Sequence, residues 1–161
     1  MSATFHHAFL RDIAPGILYR ILWLRVSVFV VEQTAAYPEL DGRDLEEDAE
    51  QFWAEENGDV TSTLRLLRDP DTARIGRVAT AAGSRGQGHS AELMSRAIER
   101  VEESSAASPI VLDAQEHLAG WYGRFGFAVC GERFYEDGIA HVPMRREPSV
   151  QQPRNEGAAV S

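Results

Sequence analysis

GSRGQGHSAELM, residues 83–94, places three glycines within six positions and then turns into a helical pattern. A glycine-rich turn that feeds a helix N-terminus suits phosphate, because unpaired backbone N–H groups and the helix dipole both favour an anion. The fold and the chemistry depend on which phosphate this loop receives.

Working outward from the loop, ARIGRVAT (73–80) reads as the strand that enters it. On the other side, Leu93, Met94, Ala97, Ile98 and Val101 form one apolar helical face, with Glu92, Arg96 and Arg100 as i,i+4 neighbours opposite. Upstream, QFWAEE and DVTSTLRLL flank Asn57-Gly58, a strong hairpin signal, so residues 51–67 are predicted as antiparallel strands. FHHAFL (5–10) predicts a first strand, and Pro15 opens a helix whose stripe is Ile17, Leu18, Ile21, Leu22, Arg25 and Val28. Downstream, PIVLDA (109–114) is a strand, EHLAGWYGRF a short helix, GFAVCGERFY a strand and HVPMRR a last strand after a turn at Glu136-Asp137-Gly138. This order predicts an α/β fold of the α+β type, a mixed and mostly antiparallel central sheet with helices on both faces. One domain is expected over residues 1–146, and the polar stretch 147–161 reads as a disordered tail.

The 161 residues suffice for one domain with a proper core, and 43% apolar with 25% charged is ordinary for a globular chain. The longest apolar run, ILWLRVSVFVV (21–31), is interrupted by Arg25 and too short for a membrane span. No cleavable leader is visible, so a cytoplasmic location and no membrane partner are expected. A net charge of −9 argues against nucleic acid as a partner. The lone Cys130 excludes an internal disulfide and, in the apolar run FAVC, is expected to be buried. His6, His7, His89 and His117 lack ligand spacing, so no metal is expected.

Three phosphate loops compete. A P-loop needs a lysine to reach the β- and γ-phosphates, and all 16 basic residues here are arginine. The dinucleotide fingerprint is satisfied by Gly86-Gln87-Gly88-His89-Ser90-Ala91, with Asp113 near the place of a ribose-binding acid. Against it, five residues separate the strand end from Gly86, and only 48 residues follow Asp113. A dinucleotide-binding oxidoreductase is therefore the disfavoured alternative. The third candidate is the diphosphate of coenzyme A. Arg85-Gly86-Gln87-Gly88-His89-Ser90 resembles the R-x-x-G-x-[GA] loop of the GNAT N-acetyltransferases, with Ser90 where that family usually has glycine or alanine. LWLRVSVFVVEQ (22–33), YPELDGRD (37–44), TLRLL (63–67), IGRVAT (75–80), AQEHLAGWYGRFGF (114–127) and YEDGIAHVPM (135–144) are similar, in order, to blocks of the ElaA-type branch.

This resemblance implies a GNAT-like acyl-CoA N-acyltransferase fold and transfer of an acetyl group from acetyl-CoA to a primary amine by direct attack in a ternary complex. It implies that the pantetheine arm pairs with the backbone of Val78, Ala79 and Thr80. The diphosphate is then expected on the loop formed by Arg85, Gly86, Gln87, Gly88, His89 and Ser90. Tyr122, in W-Y-G-R-F-G-F, matches the tyrosine held to protonate the departing thiolate. Gln115 is expected to bond the pantetheine or support Tyr122. Glu32 and His141 are the candidate bases, each with a structural role as the alternative. Asp41 and Asp44, within a stretch of nine acids between Glu39 and Glu56, are candidates to meet a cationic acceptor or to structure their turn. Expected partners are a small-molecule or peptide amine and, as an open possibility, a second copy in a homodimer. The competing function in the same cleft is a non-catalytic acetyl-CoA sensor.

Overall fold

In the computed structural model, which describes residues 2–104 and 107–149, the strand entering the glycine loop lies at the centre of an eight-stranded sheet. β1 (Thr4–Phe9), β2 (Glu50–Glu56), β3 (Asp59–Arg68) and β4 (Ala73–Thr80) pair antiparallel in sequence order. Asn57 (φ 52°) and Gly58 (φ 80°) make the turn between β2 and β3, the left-handed pair that matches hairpin twist. α2 (His89–Glu103) then crosses over to β5 (Ile110–Gln115), which is parallel to β4. β8 (Ile139–Arg146) pairs antiparallel with β5 and with β6 (Ala128–Val129), so the sheet order is β1-β2-β3-β4-β5-β8-β6, with β7 (Phe134–Glu136) also on β8. A mixed, mostly antiparallel sheet is thus what the element order anticipated.

Helices cover both faces. α1 (Pro15–Arg25) and its π-helical continuation Val26–Glu32 bring Ile21, Leu24, Val28 and Phe29 against Trp53, Val60 and Ala79. α2 presents Leu93, Met94, Ala97, Ile98 and Val101 to Phe52, Leu64, Leu66 and Ile75 on the opposite face. Adjacent Phe52 and Trp53 serve different cores because successive side chains of a strand point to opposite faces.

Arg25, which interrupts the apolar stripe, is fully buried. Its Nε donates to Glu39 at 2.7 Å and its Nη1 to Asp44 at 2.7 Å. Arg65 donates to Asp41 at 2.8 Å and Asp44 at 3.3 Å, and Arg77 lies 3.1 Å from Glu39 and 3.3 Å from Asp41. Buried Glu50 pairs with Arg100 at 3.2 Å. Glu39, Asp41, Asp44 and Glu50 are therefore held by the chain's own arginines, which favours the turn-structuring role for Asp41 and Asp44 over an acceptor contact. A buried carboxylate needs such a partner, and the DGRD turn supplies two to the same cluster.

Two further expectations change. GFAVCGERFY is two short strands, β6 (Ala128–Val129) and β7 (Phe134–Glu136), rather than one. Pro143 of β8 lies against the intervening stretch and has no N–H with which to continue the ladder; a Cβ on Gly131 would sit 2.7 Å from its ring. Cys130 is consequently exposed, not buried. The expected tail lies outside the described residues from 150 onward, while Ser149 bonds Glu102 of α2 at 2.7 Å.

Candidate active site

β4 and β5 pair only at Ala73–Ile110 and Arg74–Val111. Beyond that point the two strands have no pairing among the described residues, and β4 bulges against β3. The register shifts between Thr63 and Arg65, and Arg77 adopts a left-handed φ of 52°. A bulge at this position bends the strand away from its neighbour. The result is a stretch of β4, Val78, Ala79 and Thr80, that is not paired with β5 and lines a cleft of about 900 Å³.

The glycine loop forms one end of that cleft. Gly86 (φ 80°) and Gly88 (φ 82°) are left-handed, and Gly88 is the residue before the first turn of α2. Nothing lies within 4 Å of where a Cβ would stand on either, so backbone conformation rather than crowding demands glycine there. The amides of His89, Ser90 and Ala91 precede the first bond of the helix, Glu92 N–H to the Gly88 carbonyl at 3.1 Å. These residues line the cleft, and their amides lack a helical carbonyl partner, as at any helix start.

Ser90 departs from the small-residue pattern, yet its hydroxyl is used. Ser62 Oγ donates to the Ala79 carbonyl at 3.0 Å and lies 3.1 Å from Ser90 Oγ and 3.0 Å from Thr80 Oγ1; Ser90 and Thr80 also contact each other directly. This hydroxyl group ties the start of α2 to β3 and β4. The His89 side chain turns away from the anion end, with Nδ1 2.8 Å from Thr61 Oγ1 and Nε2 3.8 Å from Glu56.

Tyr122, on α3 (Ala119–Gly123), lies in the same cleft, packed edge-on against Trp121 and Phe127 at 4.9 and 6.4 Å. Burial pushes its phenol up to about 12, because an apolar surrounding penalises phenolate. Val78, Ala79, Thr80, Arg85, Gly86, Gly88, His89, Ser90 and Gln115 all line this cleft, as does Glu32. Gln87 does not; it lines a second cleft of about 650 Å³ on the α1 side, which Glu32 and Ser84 share. Gln115 donates to Gln33 Oε1 at 3.0 Å, tying the end of β5 to the residue after the π-helical turn.

The two candidate bases differ. The Glu32 carboxylate is gripped at both oxygens by Arg85, each at 2.7 Å, and the hydrogen bond from Arg85 holds it below the usual carboxylate range. His141 stands opposite Gln115 in the β5–β8 register and stacks on Phe134 at 5.6 Å. Its Nδ1 is 2.8 Å from the Ile139 carbonyl, which only accepts, so Nδ1 carries the proton and Nε2 keeps a lone pair. Among the described residues no group of three or more His, Cys, Asp or Glu could hold a metal. Nor is any described helix long and apolar enough to cross a membrane.

Sequence reading missed Gln33, Trp121 and Leu118 as lining residues. Only the Thr61-Ser62-Thr63 run inside an apolar strand hinted at the hydroxyl cluster.

A parted β4–β5 pair, a glycine-rich helix start and a buried phenol share one cleft, in a chain that sequence and structural likeness place among the acyltransferases. Residues 24–148 match the acetyltransferase (GNAT) domain, and the chain belongs to that family. A UPF0039 protein of Mycobacterium tuberculosis is 43% identical over 94% of this chain and 97% of its own length. Protein ElaA of Escherichia coli is 36% identical over 88% of this chain and 93% of its own. Its crystal structure superposes with a TM-score of 0.85, at 32% identity over 91% of this chain and all of that one. An acyl-CoA N-acyltransferase from Pseudomonas aeruginosa gives 0.84 at 40% identity, over 90% of this chain and 99% of that one.

Proposed function

We propose that this protein transfers an acetyl group from acetyl-CoA to a primary amine by direct attack in a ternary complex, with Tyr122 as general acid. The observation that carries the proposal is a buried phenol in one cleft with the glycine loop and the stretch of β4 not paired with β5. No hydrogen bond among the described residues engages the Tyr122 hydroxyl, which leaves it available to a ligand atom.

The cofactor's diphosphate would rest on the amides at the start of α2, and its pantetheine amides would pair with Val78, Ala79 and Thr80. Arg85 would add charge at the diphosphate, and Gln115 a side-chain amide near the thioester. The neutral amine attacks the thioester carbon, the carbonyl oxygen becomes an oxyanion, and collapse breaks the C–S bond. The ammonium of the tetrahedral adduct loses a proton to a base, the departing thiolate takes the phenolic proton, and solvent returns a proton to the tyrosinate once the neutral amide has formed. Burial disfavours phenolate, so Tyr122 is in its protonated, donor form at neutral pH. Of the two bases, Glu32 lines the cleft but has both oxygens engaged by Arg85, whereas His141 is not among the residues that line it.

Tyr122→Phe keeps the ring and the packing and removes the proton donor. Calorimetry and steady-state kinetics with a surrogate amine should give an unchanged Kd for acetyl-CoA and a kcat lower by about 10²-fold. Turnover within about threefold of the parent, less than 1 kcal/mol of barrier, would assign the proton to another group. Initial rates should rise along intersecting rather than parallel double-reciprocal lines, as a ternary complex requires. Parallel lines would point to an acyl-enzyme instead.

A further inference from the structure

The π-helical turn delivers Glu32 across the mouth of the cleft to Arg85, fifty-three residues away in sequence. Both Nη atoms of Arg85 are occupied by the carboxylate at 2.7 Å, while its Nε donates to the Thr80 carbonyl at 3.2 Å. The guanidinium is therefore anchored to β4 by one edge and offers its two-pronged face to an anion. A phosphate has the same bidentate complement for that face as a carboxylate, and more charge. Glu32 and Arg85 are both about half exposed, at 45% and 46%, so the pair is open to exchange rather than locked in the interior.

We infer that Glu32 is a built-in competitor for the phosphate of the incoming cofactor. In the unliganded protein it occupies Arg85, and acyl-CoA binding transfers the guanidinium from the carboxylate to a phosphate. This inference rests on the acyl-CoA reading of the cleft. Glu32 has somewhere to go, because it also borders the second cleft, along with Gly83, Ser84 and Gln87. Released there, the carboxylate is free of its cation only while cofactor is bound. The availability of Glu32 to any acceptor group is thereby coupled to cofactor occupancy. The contact also lowers affinity for phosphate-bearing ligands in general, since each must first displace Glu32.

The test is a double-mutant cycle read by calorimetry at low salt, with CoA and with pantetheine, which carries no phosphate. Glu32→Gln should tighten CoA binding by roughly two- to fivefold, the range set by an exposed ion pair. It should leave pantetheine affinity unchanged. Arg85→Gln should weaken CoA binding, and Glu32→Gln in the Arg85→Gln background should change nothing further. Unchanged or weaker CoA binding in Glu32→Gln overturns the inference, as does an equal gain for pantetheine. If the parent binds pantetheine and CoA normally, those outcomes leave the acyl-CoA reading standing. Absence of CoA binding by all four proteins overturns both.

Discussion

At Gly88 the backbone and the ligand make separate demands. The left-handed φ of 82° disfavours a branched residue, and the open space at its Cβ position is space that a bound diphosphate would fill. Gly88→Val should therefore lose both loop conformation and CoA affinity. Gly88→Asn isolates the second effect, because asparagine tolerates left-handed backbone but still projects a side chain. We expect Gly88→Asn to melt near the parent temperature and bind CoA at least about tenfold more weakly. Parent-like CoA affinity in a folded Gly88→Asn protein would place the diphosphate elsewhere. The loop was legible because it is a short contiguous pattern with a backbone reason behind it, and Tyr122 through the resemblance of W-Y-G-R-F-G-F to a family block. Gln33–Gln115 and Glu32–Arg85 were not, since partners 82 and 53 residues apart meet only once the sheet has parted. Gly86 and Gly88 announced a turn, whereas nothing local announced Gln33.

The element scale is dominated by the clamp of arginines on the loop around DGRD. Burial pushes Asp41 up, but the Arg65 hydrogen bond, the Arg43 amide and the charges of Arg65 and Arg77 outweigh it and leave it at about 2. Asp44 is likewise held low: burial opposes, and Arg25, Arg65 and Gln51 prevail. A carboxylate depressed in the folded state stabilises above its unfolded value, and that contribution disappears as pH falls through the folded one. Stability should thus decline between about pH 4 and pH 2. Asp41→Asn should flatten that decline while lowering stability at pH 7, measured by urea denaturation across the range. An equally steep acid loss in Asp41→Asn would show that the pair with Arg65 is energetically idle. Removing the cation is harsher. Arg25→Met leaves Glu39 and Asp44 facing each other in the interior and should destabilise by about 3–5 kcal/mol. The sequence left Asp41 and Asp44 open between an acceptor contact and a turn role because the arginines that hold these acids, at 25, 65 and 77, come from three different elements. In the same way, GFAVCGERFY carried a continuous strand pattern, and only the placement of Pro143 opposite it breaks the ladder.

For the whole molecule, element order was enough to anticipate the sheet, and length sufficed to set aside a doubly wound dinucleotide fold. The parting of β4 from β5 was not readable from composition or periodicity. It depends on a bulge at Arg77, a non-glycine residue with positive φ that no turn signal marks. A chain of 161 residues without lysine has a further consequence for an acetyl-transfer enzyme. Its side chains present no ε-amine to its own donor, so incubation with acetyl-CoA should add no acetyl group to any side-chain amine. Peptide mass spectrometry checks this, and acetylation at a residue other than the N-terminal amine would reveal another nucleophile, with exposed Cys130 the first to examine. The most direct test of the account treats the molecule as one cooperative unit: thermal denaturation with acetyl-CoA, CoA, NADH and ATP in parallel. At a hundred times its dissociation constant, acetyl-CoA should stabilise by about 2.7 kcal/mol and raise Tm by roughly 5–11 °C. CoA should follow closely, with NADH and ATP well behind at the same concentration. A larger shift with NADH or ATP, or none with acetyl-CoA, would contradict the assignment of the cleft.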